Sequence, residues 1–188
     1  MKLSALCLTA VLALPAVTFA QSKPVEYRVL ATSRTSTMEK EMNQAADSGF
    51  RFQVVTGGET AVGGKETVAV MSRGAEGGRY RYKLLATSRT STMERELQQL
   101  ADDGFQFRGQ AVFESLIGGK EVVTVMELDR DHPAMGWQYR LLATSRTGTM
   151  QKELNELGDV GYQIVGLTVG QTLIGGKELV SIVRRKRQ

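Results

Sequence analysis

The segment Leu30-Ala31-Thr32-Ser33-Arg34-Thr35 decides the fold, because the same six residues recur at 85–90 and at 142–147. Aligning Tyr27 with Tyr82 and Tyr139 gives offsets of 55 and 57 residues. The likeness then extends over about 46 residues of each copy without an insertion. Self-similarity at a nearly fixed spacing is the signature of a repeat protein. The sequence therefore predicts three copies of one structural unit.

Each copy contains the signals of a β-α-β-β unit. In the first copy, residues 27–32 form a β-rich run, and Ser36 with Glu39 offers a capping box for a helix start. Gly49 stands where a left-handed residue would close that helix, before a second β-rich run that begins at Phe50. The pair Gly63-Gly64 predicts a two-residue hairpin turn that leads to a third strand.

The three helices are expected to share an apolar stripe at i, i+4, i+7 and i+8, which is typical of a helix that packs on a sheet. The stripe consists of Met38, Met42, Ala45 and Ala46 in the first copy, Met93, Leu97, Leu100 and Ala101 in the second, and Met150, Leu154, Leu157 and Gly158 in the third. We therefore predict an α+β fold of three tandem β-α-β-β repeats, at 21–73, 80–129 and 137–188. These helix-on-sheet, two-layer units are packed into one body, because a unit of this size buries too little surface to be stable alone. The sequence leaves open whether they share a continuous sheet or surround a pseudo-threefold axis.

The first twenty residues have the pattern of an export signal. Lys2 precedes the uncharged apolar stretch 3–17, and Ala20 provides a small residue at which cleavage is expected. This stretch is shorter than the roughly 20 residues that cross a bilayer as a helix. We therefore expect a periplasmic or secreted protein without a transmembrane segment. Because Cys7 is the only cysteine, the mature chain would have no disulfide and would depend on its core.

Positive and negative side chains nearly balance, with 24 Lys and Arg against 20 Asp and Glu. Four of the cations, Arg184, Arg185, Lys186 and Arg187, form a basic C-terminal tail. Such a tail can attract an anionic polymer or a membrane surface, but we interpret it as the frayed and solvated end of the last strand. The balanced charge and the export signal argue against sequence-specific binding of nucleic acid.

The third copy resembles a known bacterial family. Tyr139-Arg140-Leu141-Leu142, followed by the segment 154–165 with its Asn-Glu-Leu-Gly-Asp-Val-Gly-Tyr pattern, is similar to the small bacterial domain of unknown function numbered 4177. The other copies match in outline but have Ala46 and Ala101 where the third has Gly158. The resemblance implies the opening strand, the helix and the closing hairpin, and it implies no activity and no functional residues.

A ligand could bind where the first strand of each copy meets the helix. If the helix crosses over between two parallel strands, this junction and the Gly-Gly turn lie at one end of the unit. Basic side chains, hydroxyls and the free amides of the helix start would there form a small positive pole for a carboxylate, phosphate or sulfate. The candidate residues are Ser33, Arg34, Thr35 and Lys65; Ser88, Arg89, Thr90 and Lys120; and Ser145, Arg146, Thr147 and Lys177.

An alternative is that these residues only stabilise the fold. Each Arg could pair with the Glu of the Gly-Gly-Lys-Glu segment or with Glu41, Glu96 or Glu153, while the hydroxyls bind backbone groups. The sequence does not decide between the two interpretations.

Catalysis has few candidate groups in this chain. The only histidine is His132, so a nucleophile-His-acid set cannot be repeated in the three copies. Zinc ligands are lacking, and no cofactor motif occurs. Asp47, Asp102 and Asp159 leave hydrolysis by paired carboxylates formally open, but each lies beside a helix-ending glycine.

We therefore expect a non-catalytic exported protein of the cell envelope, without a cofactor. Its expected partner is an anionic ligand or polymer, held at several sites at once, or another envelope protein. A structural repeat scaffold or a protein-protein interaction module is the alternative.

Overall fold

The protein contains three β-α-β-β units, as the repeats predict. A computed structural model describes residues 24–60, 64–74, 78–87, 89–114, 120–172 and 176–187. Unit 1 comprises β1 (Glu26–Thr32), α1 (Thr35–Asp47), β2 (Arg51–Thr60) and β3 (Gly64–Arg73). Unit 2 comprises β4 (Tyr80–Thr87), α2 (Thr90–Asp102), β5 (Gln106–Glu114) and β6 (Lys120–Asp129). Unit 3 comprises β7 (Trp137–Thr144), α3 (Thr147–Asp159), β8 (Gln163–Thr172) and β9 (Gly176–Lys186).

Each unit has its own three-stranded antiparallel sheet with the last strand in the middle, in the orders β1-β3-β2, β4-β6-β5 and β7-β9-β8. Because β3 is antiparallel to both neighbours, β1 and β2 run in the same direction and α1 connects them. Thr32 lies opposite Thr67, and Thr60 lies opposite Gly64. The strand-helix junction and the start of the return strand therefore lie at the same end of the unit, as predicted.

The helix ends follow the prediction. Gly49, Gly104 and Gly161 have φ values of 84°, 88° and 86°, which residues with a Cβ rarely adopt. In unit 1 the Phe50 N–H donates to the Ala45 carbonyl at 3.0 Å, and the Gly49 N–H donates to the Ala46 carbonyl at 2.9 Å. This pair of hydrogen bonds is a Schellman motif, and it places the aromatic residue after each glycine at the start of the second strand.

The predicted capping box is wrong. The residue that precedes each helix is Arg34, Arg89 or Arg146, and none of the described side chains caps a helix start. Ser36 lies inside the first turn of α1. Glu39 is free to bind elsewhere, because the helix begins two residues earlier than a box with Ser36 as the cap requires.

The predicted two-residue turn is also wrong in the two hairpins where the register can be followed. Gly64 and Gly176 do have positive φ values, of 69° and 72°. However, Gly64 pairs with Thr60 and Gly176 pairs with Thr172, so both glycines are the first residues of their return strands. The glycines Gly63, Gly118, Gly119 and Gly175 lie outside the described residues.

The predicted helix stripe is buried completely only in unit 1. Met38, Met42, Ala45 and Ala46 are all buried, and in unit 2 Leu100 remains half-buried. In α3 only Met150 is buried, and Leu154 and Leu157 are half-buried. The difference arises because the surface that covers each helix comes partly from the next unit.

The apolar cores lie between units. The first core joins the residues of α1, β2 and β3 to four buried residues of unit 2, namely Tyr80, Tyr82, Ala111 and Val125. The second joins the residues of unit 2 to three buried residues of unit 3, namely Tyr139, Val180 and Ile182. In units 1 and 2, one face of the sheet therefore packs against the unit's own helix and against the opposite face of the next sheet.

The units are stacked in a row. Unit 2 packs against both other units, and among the described elements none of unit 1 packs extensively against one of unit 3. The three sheets share no strand pairing in the part of the chain that is described. The arrangement is therefore neither a continuous sheet nor a closed pseudo-threefold ring.

Tyrosine hydroxyls connect unit 2 to unit 1 and unit 3 to unit 2. The second strands of units 1 and 2 each have a register shift, and the amide next to this bulge donates to a tyrosine of the following unit. The Phe52 N–H donates to the Tyr82 hydroxyl at 2.8 Å, and the Phe107 N–H donates to the Tyr139 hydroxyl at 2.9 Å. Both tyrosines are almost completely buried, so these hydrogen bonds are shielded from water.

The helix side chains bind the free edge of the next unit's first strand. Asn43 accepts from the Tyr82 N–H and donates to the Tyr82 carbonyl, both at 3.0 Å, and Glu39 accepts from the Leu84 N–H at 2.9 Å. In the next interface Gln98 accepts from the Tyr139 N–H and Glu94 accepts from the Leu141 N–H, both at 3.0 Å. The edge strands β4 and β7 are thus covered by a helix.

The interpretation of the basic tail as a frayed end is wrong. Arg184 and Lys186 belong to β9, and both lie over the ring of Trp137, at 4.1 Å and 4.3 Å from its centroid. Arg185 donates to the Val160 carbonyl, and Arg187 forms an ion pair with Asp102 of unit 2. Cation-π contacts and these hydrogen bonds therefore fix the tail on the body of the protein.

We expect Gly57→Ala to destabilise the protein. A Cβ at Gly57 would overlap the backbone carbonyl oxygen of Val112 in unit 2, whereas a Cβ at the neighbouring Gly58 would meet no atom within 4 Å. Since backbone atoms cannot turn aside, Gly57→Ala should cost about 1–3 kcal/mol of unfolding free energy. Gly58→Ala should change it by no more than about 0.5 kcal/mol. Urea denaturation measures both, and equal losses would contradict the stacking of β2 on β5.

Tyr82→Phe should also destabilise the protein, because it leaves the buried Phe52 N–H and Glu127 without a partner hydroxyl. We expect a loss of about 1–3 kcal/mol in unfolding free energy. The matched control is Tyr27→Phe, which alters the same repeat position in unit 1, where the side chain is mostly exposed. It should be neutral within about 0.5 kcal/mol in a dilute sample. A neutral Tyr82→Phe would show that the hydroxyl does not stabilise the interface.

Candidate functional site

The three strand-helix junctions lie at the same end of the stacked units. Along β4 the bonds of Asn43 to Tyr82 and of Glu39 to Leu84 show that α1 runs antiparallel to this strand. The helix is also antiparallel to β1, because it returns the chain to the start of β2. β1 and β4 therefore point the same way. The equivalent bonds of Gln98 and Glu94 extend this relation to β7.

The starts of α1 and α3 have the same local structure. The Thr that ends the first strand accepts a hydrogen bond from the Arg that precedes the helix, at 3.2 Å for Thr32 and Arg34 and at 3.3 Å for Thr144 and Arg146. This bond turns the chain from the strand into the helix. It uses the Thr hydroxyl, so the first helical amides receive no side-chain cap.

The helix starts are the positive ends of the peptide dipoles. None of the three helices has an acidic residue in its first turn, and among the described side chains none caps a helix start. The aligned peptide dipoles give the first turn a partial positive charge, and its amides point outward as free donors. An anion can therefore be bound at each helix start by donors that are already in place.

The structure brings most of the predicted residues to this end. Arg34, Arg89 and Arg146 are exposed, as are Ser145, Thr147 and Lys177, whereas Ser33 and Thr35 are half-buried. Among the described side chains none forms an ion pair with Arg34, Arg146 or Lys177. For these three cations the described residues do not provide the carboxylate partner of the alternative interpretation. Ser88 and the side chains of Lys65, Thr90 and Lys120 lie outside the described residues.

The acids at the unit interfaces are engaged in structural contacts. The buried Glu127 accepts from Arg51 at 2.9 Å and from the Tyr82 hydroxyl at 2.9 Å, and Arg108 approaches it at 3.6 Å. Burial raises the pKa of Tyr82, and the Glu127 carboxylate raises it further. The hydroxyl therefore stays protonated and can donate. The hydrogen bond to Glu127 likewise raises the pKa of Arg51. This cluster holds units 1 and 2 together without a free acid or base.

A groove of about 530 Å³ runs along the outside of the second interface, between α2 and β7. Its acids are Glu94 and Asp102, and its bases include Arg140. Glu94 binds the Leu141 N–H and pairs with Arg140 at 3.2 Å, and Asp102 pairs with Arg187 at 2.8 Å. Both acids of the groove are thus paired with residues of unit 3.

Three further observations concern histidine, metal-binding groups and membrane-spanning helices. His132 is exposed in the linker, 3.8 Å from Asp129. In the described residues no three His, Cys, Asp or Glu side chains are grouped so that they could hold a metal ion. No described helix is both long and apolar enough to cross a membrane.

Sequence reasoning missed the interface residues. Asn43, Gln98 and Asn155 occupy one repeat position, and Glu39, Glu94 and Gln151 occupy another. All six can accept a hydrogen bond from a backbone amide. The shared chemistry of these positions was a signal for the edge contacts, but a single copy gives no reason to look for the partner in the next unit.

Comparison with models of protein families, with curated proteins and with solved structures finds no match to this chain. The resemblance to the domain of unknown function numbered 4177 stays a prediction. The case for a function therefore depends on the chemistry of the site.

Proposed function

We propose that the protein is an exported, non-catalytic binding protein, periplasmic or secreted, that holds an anionic polymer along the row of three helix starts. The single observation that supports this best is the repetition at one end of the molecule. An Arg precedes each of the three helices, none of them has an acid in its first turn, and no capping side chain is found at their starts in the part of the chain that the structure describes.

The spacing of the sites favours a polymer over a small ion. Stacked sheets lie about 10 Å apart, so three successive helix starts form a row on the order of 20 Å long. A single phosphate or sulfate can reach only one of them. A chain of phosphates or a sulfated or carboxylated glycan can engage all three, and each additional contact benefits from a high effective concentration.

The contacts of the other cations also favour the end with the helix starts as the binding site. Arg184 and Lys186 are held over Trp137, and Arg51 is paired with the buried Glu127. Arg34 and Arg146 at the helix starts, in contrast, are exposed, and among the described side chains none forms an ion pair with them. Exposed guanidinium groups bind phosphate and carboxylate through two parallel hydrogen bonds, which makes them suitable for an anionic polymer.

Titration with inorganic polyphosphate tests the proposal. We expect the triple variant R34A/R89A/R146A to bind polyphosphate at least about tenfold more weakly than the wild type, because each charge-assisted hydrogen bond contributes about 1.5–3 kcal/mol. Orthophosphate at the same phosphate concentration should compete poorly, because it lacks multivalency. Isothermal titration calorimetry gives the affinities.

The matched control is the triple variant K40A/R95A/K152A. These three exposed cations also occupy one repeat position, but they lie on the helices away from the first turn. Their loss removes the same net charge, so it should lower the affinity much less than the loss of the three Arg residues. Equal losses in the two variants, or no binding by the wild type, would contradict the proposal.

A further inference from the structure

The two ends of the row present halves of an interface that is complete inside the molecule. The leading face, on the sheet of unit 1, contains Val25, Tyr27, Val29 and Val54. The trailing face, on unit 3, contains Val160, Ile164, Leu167 and Val169. Every one of these side chains is more than half exposed, and in the described part of the chain Met135 is the only other large apolar residue of which this is true. Exposed apolar residues collected on two faces indicate binding surfaces.

We propose that the trailing face of one molecule binds the leading face of a second copy of the chain, head to tail, in the geometry that joins successive units within the chain. The second copy is the occupant that fits, because the leading face is a repeat-equivalent of surfaces already bound in the structure. Head-to-tail assembly is independent of anion binding, since the two use different surfaces.

The tyrosine contact has both of its halves available at the ends. Tyr27 occupies the repeat position of Tyr82 and Tyr139, whose hydroxyls accept from an amide at a bulge of the preceding unit. In unit 3 the same bulge is present between Ile164 and Gly166. The Ile164 N–H of one molecule can therefore donate to the Tyr27 hydroxyl of the next.

The edge contact is available as well. β1 is an edge strand, and in the described residues no side chain binds the edge amides of Tyr27 and Val29, which correspond to Tyr82 and Leu84. Asn155 and Gln151 occupy the helix positions of Asn43 and Glu39. They can bind the main chain of Tyr27 and Val29 in the same way.

The side-chain volumes at the proposed interface between two molecules, which we call the third interface, are complementary. Within the chain, the ring of Phe52 lies against Gly109 and that of Phe107 lies against Gly166. At the equivalent place between two molecules, Ile164 would lie against Val54. A smaller side chain replaces the phenylalanine, and a larger one replaces the glycine, so the total volume is similar.

Charge does not oppose the contact. Arg51 and Glu127 form a buried ion pair between units 1 and 2. Their equivalents at the third interface are Gln163 and Ser72, which are both neutral. No unpaired charge would therefore be buried when two molecules meet. The exposed ion pair of Lys83 with Glu39 would have no counterpart, because Gln151 replaces the acid, and such surface pairs contribute little.

A contact between two different faces generates either a closed ring or an open filament. Analytical ultracentrifugation of the wild type should therefore show association that increases with concentration. We expect Tyr27→Glu, which blocks the leading face, and Ile164→Glu, which blocks the trailing face, to remain monomeric when studied alone. Mixed together, the two variants should form a one-to-one dimer, because each retains the face that the other has lost.

The control is Met135→Glu, which alters an equally exposed apolar side chain outside both faces and should associate like the wild type. Each variant must melt at the temperature of the dilute wild type. If one does not, Val54→Lys or Leu167→Lys replaces it on the same face.

Three outcomes would overturn the proposal. The first is a wild type that stays monomeric at roughly 100 μM, above the dissociation constants expected of a specific interface. The second is association of either blocked variant to the same extent as the wild type. The third is failure of the mixed variants to pair, which would show that any association uses other surfaces.

Discussion

The buried tyrosine hydroxyl between successive units is the contact on which the architecture depends. The tyrosine belongs to the first strand of one unit, and its hydroxyl accepts a hydrogen bond from the amide beside the bulge of the preceding unit. The same strand also completes the apolar core under the preceding helix. A unit of this size cannot bury enough surface by itself. Each repeat therefore obtains its stability from its neighbour, as in other repeat proteins, where interfaces between units provide much of the folding free energy.

This arrangement places the sheet faces and the helix starts on different surfaces of the molecule. The faces of the sheets stabilise the row, and the ends of the row present the same faces without a partner. The helix starts lie at one edge of the stack, where Arg34 and Arg146 form no ion pair with a described side chain. The proposed binding of an anionic polymer would use this edge and leave the packed faces unchanged, so that a rigid body would carry several weak sites.

The sequence predicted what depends on local chemistry. The β-α-β-β order and the left-handed glycines Gly49, Gly104 and Gly161 follow from spacing and residue type, and the structure confirms them. The capping box failed because the Thr at the strand end already turns the chain into the helix two residues earlier. The prediction that the basic tail is frayed was wrong because Trp137, which holds the tail, is about fifty residues away in the chain. For the candidate site, the repeats predicted the residue types and their common end within a unit, but the common end across units depends on the bonds of Asn43 and Gln98 to the next strand.

Hydrogen exchange of the three helices in a dilute, monomeric sample tests most directly whether each core is closed by the following unit. Among the described residues, none covers α3 in the way that units 2 and 3 cover α1 and α2. The amides of α3 should therefore exchange on the order of tenfold or more faster than the equivalent amides of α1 and α2. Equal protection of the three helices would contradict the account, because it would mean that each unit is stable without its successor.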